Sequence, residues 1–524
     1  MKININEMFE ITKTDLDGRI GKIHCKDNSI ETPTLLPVIH PVNQLVNTKI
    51  INEIGFPAVM TNAYITLKNY GDEAIEKGIH KIINFEGPIM TDSGGYQVLE
   101  YGKVDANPIE MAKFQESIGT NFANVLDHPT SLKDSLTNAK QGVNETLAAC
   151  KQTLENIARK SIWIGPVQGG KYLDLVEFSA KKMAKMNFDM YALGSPTEIM
   201  ESYNYKLLAK MIITAKKYLP PNKPLHLFGL GHPLPLSLAV ALGCDTFDSA
   251  SYILYARDGR YFTDVGTKKI NELDYLPCVC KICIEYTAKE IKSLSKIEKT
   301  RTIAIHNLYM LWKEIQSTKI AIKEGRLWEY VGNRTRIHPK LWDSFIHIAE
   351  NEHLFKNKNA RFKNKGMFFS SFPDNRRPEV LLVVDKIKDF LMQNKKKAII
   401  ILPLMQQRPL FYNKKMLQIL DKINIDKVLI GHIIPPFGFI PHQLTDIYPI
   451  SQMEISENMY NESNTIKQTI KFIEMQFKII NPKYVYLVKN ELVNDKITKF
   501  IMNKYSPKKI LEDIEEITNE SFDM

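Results

Sequence analysis

Nowhere in the 524-residue chain is there an apolar run of the roughly 18 residues needed to cross a bilayer, which excludes a membrane-spanning helix. Cysteine is scarce: the six present are too few for a disulfide scaffold. Three of them crowd into positions 278–283, which fits a reducing compartment and a metal site. The first residues, Met1-Lys2-Ile3-Asn4-Ile5-Asn6, lack the apolar core and cleavage site of a secretory leader, so a cytoplasmic location is expected. Tryptophan is also rare, at four residues, and this counts against an aromatic-lined sugar cleft. What remains is ordinary globular material, 44% hydrophobic and 24% charged. The length implies two or three domains. A net charge of +10 permits a polyanionic partner without requiring one.

From about residue 32 to 250 a short apolar run, a small or polar break and an amphipathic stretch alternate. The runs are Thr34–Ile39, Phe56–Met60, Gly87–Met90, Phe122–Leu126, Ile162–Val167, Met190–Leu193, Leu225–Leu230 and Thr246–Phe247. Helical segments such as Leu173–Met186 and Tyr205–Tyr218 lie between them. Eight βα steps predict an α/β fold, a (β/α)₈ TIM barrel. An open doubly wound sheet stays possible, because strand order cannot be read from sequence. Phe9–Thr12 and Gly21–Cys25 flank Asp15-Leu16-Asp17-Gly18 as a hairpin that could cap the barrel's bottom. The barrel domain, with its appended zinc subdomain, is expected to span 1–325, followed by a helical linker over 326–378 and a separate α/β domain over 379–524. In that last domain Val380–Val384, Ala398–Leu402, Lys427–Ile430 and Tyr484–Val488 read as strands, and Ser506–Met524 as an acidic helix.

Barrel enzymes gather their chemistry where strands run into the following helices. The predicted strand ends here are Thr91-Asp92-Ser93-Gly94-Gly95-Tyr96-Gln97, Asp127-His128-Pro129, Gln168-Gly169-Gly170, Gly194-Ser195-Pro196, Gly229-Leu230-Gly231-His232 and Asp248-Ser249-Ala250-Ser251. A single Asp after a strand is commonly a helix N-cap, and paired glycines commonly make a turn. Three carboxylates and an amide at one mouth are a different matter. Two carboxylates facing a glycosidic carbon supply a nucleophile and a general acid/base. A third beside Gln168 suits the N–H edge of a nucleobase, and Tyr96 could stack on its face. Cys278, Cys280 and Cys283 form C-x-C-x₂-C, with His306 after 22 intervening residues. Three thiolates and one imidazole predict one closed, structural zinc site per chain, with Lys289–Glu298 as a helix between them.

Together these segments resemble the tRNA-guanine transglycosylase family. The resemblance rests on Thr91–Gln97, Val167–Gly170, Tyr191–Pro196, Phe247–Ala250 and the Cys278/Cys280/Cys283/His306 set, in that order, over roughly residues 8–320. Leu126–Thr130 and Gly194–Pro196 resemble the archaeal branch, which inserts 7-cyano-7-deazaguanine (preQ0) in place of guanine 15 of the tRNA D-arm, the first step toward archaeosine. The resemblance implies Asp248 as nucleophile on C1′, with a covalent glycosyl-enzyme, and Asp92 as general acid/base. It implies Ser93, Asp127, Gln168, Gly169, Gly194 and Ser195 as holding the base and Tyr96 as stacking on it. A homodimer is expected, and a separate RNA-binding subunit remains open, since no PUA domain is recognisable in 494–524. Lys356–Lys365, Arg376-Arg377 and Lys395–Lys397 are basic clusters available for phosphates. Leu402–Pro409 and Asp446–Pro449 resemble part of an archaeosine synthase core but lack its cysteine, so no second chemistry is expected there. Competing readings are a transglycosylase of other site specificity (the preQ1 type), a carboxylate glycoside hydrolase and a non-catalytic RNA-binding scaffold.

Overall fold

The structure, a computed structural model, describes residues 8–26, 28–95, 107–351, 355, 363, 365–403, 418, 421, 423, 427–488 and 493–511. Contacts divide the chain into two units, Met1–His347 and Ile348–Met524.

The first unit opens with an antiparallel sheet of β1 (Phe9–Asp15), β2 (Gly18–Cys25) and β3 (Asn28–Thr32). The predicted hairpin turns at Leu16-Asp17, with Leu16 at φ +53. Eight parallel strands follow: β4 (Thr34–Pro37), β5 (Val59–Asn62), β6 (Ile89–Asp92), β7 (Phe122–Asn124), β8 (Ile162–Val167), β9 (Met190–Leu193), β10 (Leu225–Leu227) and β11 (Thr246–Ser249). Their order is β4-β11-β10-β9-β8-β7-β6-β5, and a parallel bridge between Val38 and Met60 joins the two ends. The sheet therefore closes into a (β/α)₈ barrel, and the open doubly wound alternative is set aside. The strands are short and almost wholly buried, as parallel strands covered on both faces must be. The connecting helices read at the other period. In Leu173–Met183 the buried residues are Leu175, Val176, Ser179, Ala180 and Met183, one stripe at helical spacing, and Lys181 and Lys182 sit in the last turn.

The small N-terminal sheet plugs the bottom of the barrel. Its Met8, Phe9, Ile23, Cys25 and Ile30 join one apolar cluster with Leu36, Met60, Met90, Phe122, Ile164 and Met190 from the strands. A buried Arg19 fastens it, donating from Nε to Asp245 Oδ1 at 2.9 Å just before β11. With the N-terminal end filled, the C-terminal strand ends form the open face.

Beyond β11 come the hairpin β12 (Arg260–Thr263) and β13 (Gly266–Lys269), the cysteine segment, and a 29-residue helix, Lys296–Glu324. The helix expected over Lys289–Glu298 is two pieces. Ala288–Ser293 carries a Thr287/Glu290 capping box, and Ser295 then accepts from Glu298 N to start a new helix. Helix Leu327–Thr335 packs along helix Pro233–Ala241 of the barrel. Within the segment read as a linker, the helices over 327–347 thus belong to the first unit, whereas β14 (Met367–Phe369) pairs inside the second.

The second unit holds a five-stranded sheet, order β17-β16-β15-β19-β20, of β15 (Ala398–Leu402), β16 (Val428–Ile434), β17 (Gly438–Pro441), β19 (Tyr484–Val488) and β20 (Lys509–Leu511). The short β18 (Met453–Ile455) pairs with β14. The strand expected at Val380–Val384 is instead part of helix Pro378–Gln393. Pro378 starts it, and buried Val380, Val383, Val384, Ile387 and Leu391 fall at helical spacing, so five adjacent apolar residues misrepresented the period. The expected C-terminal helix over Ser506–Met524 begins with strand β20, and its remainder lies outside the described residues, as do most of Lys356–Lys365 and of Leu402–Pro409. Arg377 is fully buried beside Glu379, 3.4 Å away, so it is not available to a phosphate. Among the described residues no helix is long and apolar enough to cross a membrane.

Candidate active site and metal centre

The barrel brings Asp92, Asp127, Gln168, Ser195 and Asp248 to one face, because each lies at the C-terminal end of a parallel strand or within three residues beyond it. Asp92, the last residue of β6, accepts from Asn62 Nδ2 at 2.9 Å. Burial, and then the charges of Asp127 and Asp248, push its carboxyl up to about 7, against the lowering pull of the Gly94 N–H and Asn62. Near neutral pH this group therefore exchanges a proton readily, as a general acid/base must. Burial likewise raises Asp127 to about 6, opposed by the Gln168 hydrogen bond.

Asp127 and Gln168 form a chain of oriented groups. Gln168 Nε2 donates to Asp127 Oδ2, while Ser195 Oγ donates to Gln168 Oε1 at 2.6 Å. Ser195 Oγ in turn accepts from Thr130 N at 2.6 Å. The amide of Gln168 is thus held with its nitrogen toward the carboxylate and its oxygen toward the serine. Gly194 lies flat against that amide and Gly95 against Asp127, where a Cβ would collide with the polar head. Gly169, at φ +143, lets the backbone pass against Val176 N of the next helix. Ser93 is brought to the same face but turned inward, donating to Val125 O at 3.0 Å. Tyr96 lies outside the described residues.

Asp248 is held differently. Its Oδ1 accepts from His226 Nε2 at 3.0 Å and from Gly229 N at 2.9 Å. His226 is fully buried, with Nδ1 2.9 Å from Thr246 Oγ1. A carboxylate can only accept, so Nε2 carries the proton and Nδ1 is free to accept from Thr246. Among the described residues Oδ2 of Asp248 has no hydrogen-bond partner, which makes it the more nucleophilic oxygen.

Asn62 and His226 were missed in the sequence. Asn62 could have been found, since it ends β5 as Asp92 ends β6. His226 carries no such signal: it sits mid-strand between Leu225 and Leu227 and reads as core.

Away from the barrel axis, Cys278, Cys280, Cys283 and His306 present ligand atoms all within 4.8 Å of one another. His306 Nδ1 lies 3.4 Å from Cys280 Sγ and 3.3 Å from Cys283 Sγ. Arms of ~2.3 Å to sulfur and ~2.0 Å to nitrogen would place tetrahedral ligand atoms ~3.5–3.8 Å apart, close to this spacing. His306 Nε2 lies 2.8 Å from Phe262 O, an acceptor, so the Nδ1 lone pair is the one turned to the sulfurs. Tyr261 stacks on the imidazole at 3.6 Å and reaches Cys283 Sγ at 2.9 Å. Geometry and donor set both fit a four-coordinate metal ion. The remaining cysteines, Cys25, Cys150 and Cys244, are buried.

The family profile described as Queuine tRNA-ribosyltransferase matches residues 15–340. Curated relatives bear the name tRNA-guanine(15) transglycosylase. That of Methanocaldococcus jannaschii is 40% identical over 479 residues, covering 89% of this chain and 71% of the relative. That of Sulfolobus acidocaldarius is 37% identical over 475 residues, covering 88% and 92%. That of Aeropyrum pernix is 46% identical over 334 residues, covering 63% and 65%.

Proposed function

Because this chain belongs to the queuine tRNA-ribosyltransferase family, we propose that it exchanges a guanine of tRNA, at position 15, for 7-cyano-7-deazaguanine by double displacement at one ribose carbon. The observation that carries this reading is an Asp92 at the mouth of one barrel whose carboxyl is raised by burial and then by the charges of Asp127 and Asp248. In the first displacement Asp248 Oδ2 attacks C1′. The C1′–N9 bond breaks, and the departing guanine takes a proton from Asp92. In the second, Asp92 removes the N9 proton of the incoming base, N9 attacks C1′, and the ester to Asp248 breaks. Two inversions give retention, as in a retaining glycosidase. One N-glycosidic bond replaces another, so no nucleotide cofactor has to supply energy. Asp127, Gln168 and the Gly194 backbone would hold the base edge, with the fixed Gln168 amide setting the pattern of donors and acceptors. Water has to be excluded while the ester persists, or the tRNA would simply be depurinated. Incubating whole tRNA with labelled guanine or preQ0 and mapping the labelled nucleotide tests the reading. Absence of incorporation would remove it, and a label elsewhere than position 15 would change its site.

His226 is a positioning residue in this scheme. Replacing it with Leu removes a charged hydrogen bond to Asp248, and exchange should slow about 10- to 100-fold. His226→Gln, which can place an amide N–H near the lost Nε2, should recover part of the rate. Equal loss in both variants would argue that only packing matters there.

The Cys₃His site is proposed to hold one structural zinc per chain, since it has four protein ligands and no open position. When bound, the ion would tie the segment 278–283 to the helix carrying His306. Native mass spectrometry should show one zinc per chain, lost in Cys280→Ser together with several kcal/mol of stability. A metal-free wild type with unchanged melting would contradict it.

A further inference from the structure

The open face of the barrel extends beyond the carboxylate mouth. Helix Leu327–Thr335 starts at the plugged end, where Leu327 N donates to Asp15 Oδ2. It runs along helix Pro233–Ala241, which spans the barrel from its open face to its bottom, so Arg336 and the residues after it emerge on the open face. There His338 stacks on Tyr203 with ring centroids 5.1 Å apart and planes inclined by 13°. Tyr203 follows helix Thr197–Glu201, the first element after β9, and the residue is 54% exposed. It occupies the left-handed region at φ +57, a conformation that favours glycine or asparagine, yet the chain places an exposed aromatic there.

The neighbours of this pair repeat the same two chemistries. The guanidinium of Arg336 lies over the Trp342 ring at 4.8 Å. That of Arg260 lies over the Tyr255 ring at 5.1 Å. Tyr255 is a near neighbour of Tyr203, and it belongs to the helix that directly follows Asp248 and β11. An exposed Tyr203, with half-buried rings and cations beside it on the face that carries the strand ends, suits an unstacked nucleic-acid strand. Buried packing would need neither the exposure nor the positive charge.

We propose that Tyr203, backed by His338 and flanked by Arg336 and Arg260, is a stacking platform for a tRNA nucleotide adjoining the one that enters the active site. A nucleotide has to leave its stack for C1′ to reach Asp248, and its neighbour thereby loses a stacking partner. The free face of Tyr203 supplies a replacement that does not depend on base identity, and the guanidinium groups meet the phosphates. This rests on the reading of the chain as a tRNA-modifying enzyme.

The test uses the full chain and whole tRNA. Tyr203→Ala should raise the KM for tRNA about tenfold or more, the loss expected for one base–aromatic stack, with kcat and the KM for guanine little changed. Tyr203→Phe should restore most of that affinity. Arg336→Gln should weaken binding and reduce the salt dependence of tRNA affinity by about one phosphate contact. Direct tRNA binding, measured without turnover, separates this inference from the exchange reading: if wild type binds tRNA but exchanges nothing, the reaction is misassigned while the platform stands or falls on the Tyr203→Ala affinity. A folded Tyr203→Ala protein with wild-type tRNA affinity would overturn the platform. So would an unchanged salt slope in Arg336→Gln, which still decides the matter should Tyr203→Ala fail to fold.

Discussion

Asp248→Ala should abolish base exchange, by at least about 10⁴-fold, and should leave no denaturant-resistant tRNA adduct on the protein. Two bonds hold Oδ1 of this carboxylate, from His226 at 3.0 Å and the Gly229 backbone at 2.9 Å. They fix the direction of Oδ2, and a preorganised nucleophile accounts for much of the rate in a displacement of this kind. Without the carboxylate no ester can form, and solvent cannot replace it, because water in that position gives a depurinated tRNA instead of an exchanged one. Gel analysis of enzyme trapped with tRNA in the absence of incoming base measures the adduct. Its persistence in the alanine variant would transfer the nucleophile's role to another residue.

Asp92→Asn should separate catalysis from stability. Exchange should fall about 10²- to 10⁴-fold, the usual share of a positioned general acid/base. In the wild type, release of guanine should decline as the pH rises through about 7, where Asp92 gives up the proton the leaving base requires. The Asn variant should lose that limb of the profile. Its stability should move the other way. The folded protein retains on Asp92 a proton that an unfolded carboxyl releases near 3.8, so wild-type stability drains away between about pH 4 and 7. The amide removes this loss, and the variant should melt higher than wild type at pH 7 and above, with no gain below pH 4. A variant that melts lower at neutral pH would mean that the Asn62 and Gly94 hydrogen bonds outweigh desolvation and the neighbouring charges. Asp92 would then not be a carboxyl that burial and charge repulsion hold in its protonated form.

The eight barrel strands were legible because a parallel strand covered on both faces is a short apolar run. The polar residues closing those runs marked the open face. Where a run belonged to a different element, the same rule failed. Val380-Leu-Leu-Val-Val384 looks like a buried strand, but it lies in a helix whose apolar stripe continues through Ile387 and Leu391. The metal ligands were legible for another reason: three of the four lie within six residues, and local spacing needs no knowledge of the fold.

The sequence by itself determined the residue types at each strand end, the period of each element of the barrel and the presence of a Cys₃His donor set. These are local properties, set by side-chain chemistry within a few positions. Only the tertiary structure decided that β4 and β5 meet to close the sheet, and that Asp92 is therefore buried in one mouth with Asp127 and Asp248, where desolvation and then their charges raise its carboxyl. It alone turned His226, a histidine between two leucines, toward the carboxylate two residues from its strand partner Thr246, and brought Tyr203 against His338 across 135 positions of chain. Such pairings depend on strand order and helix packing, which long-range burial selects and no short window of residues contains.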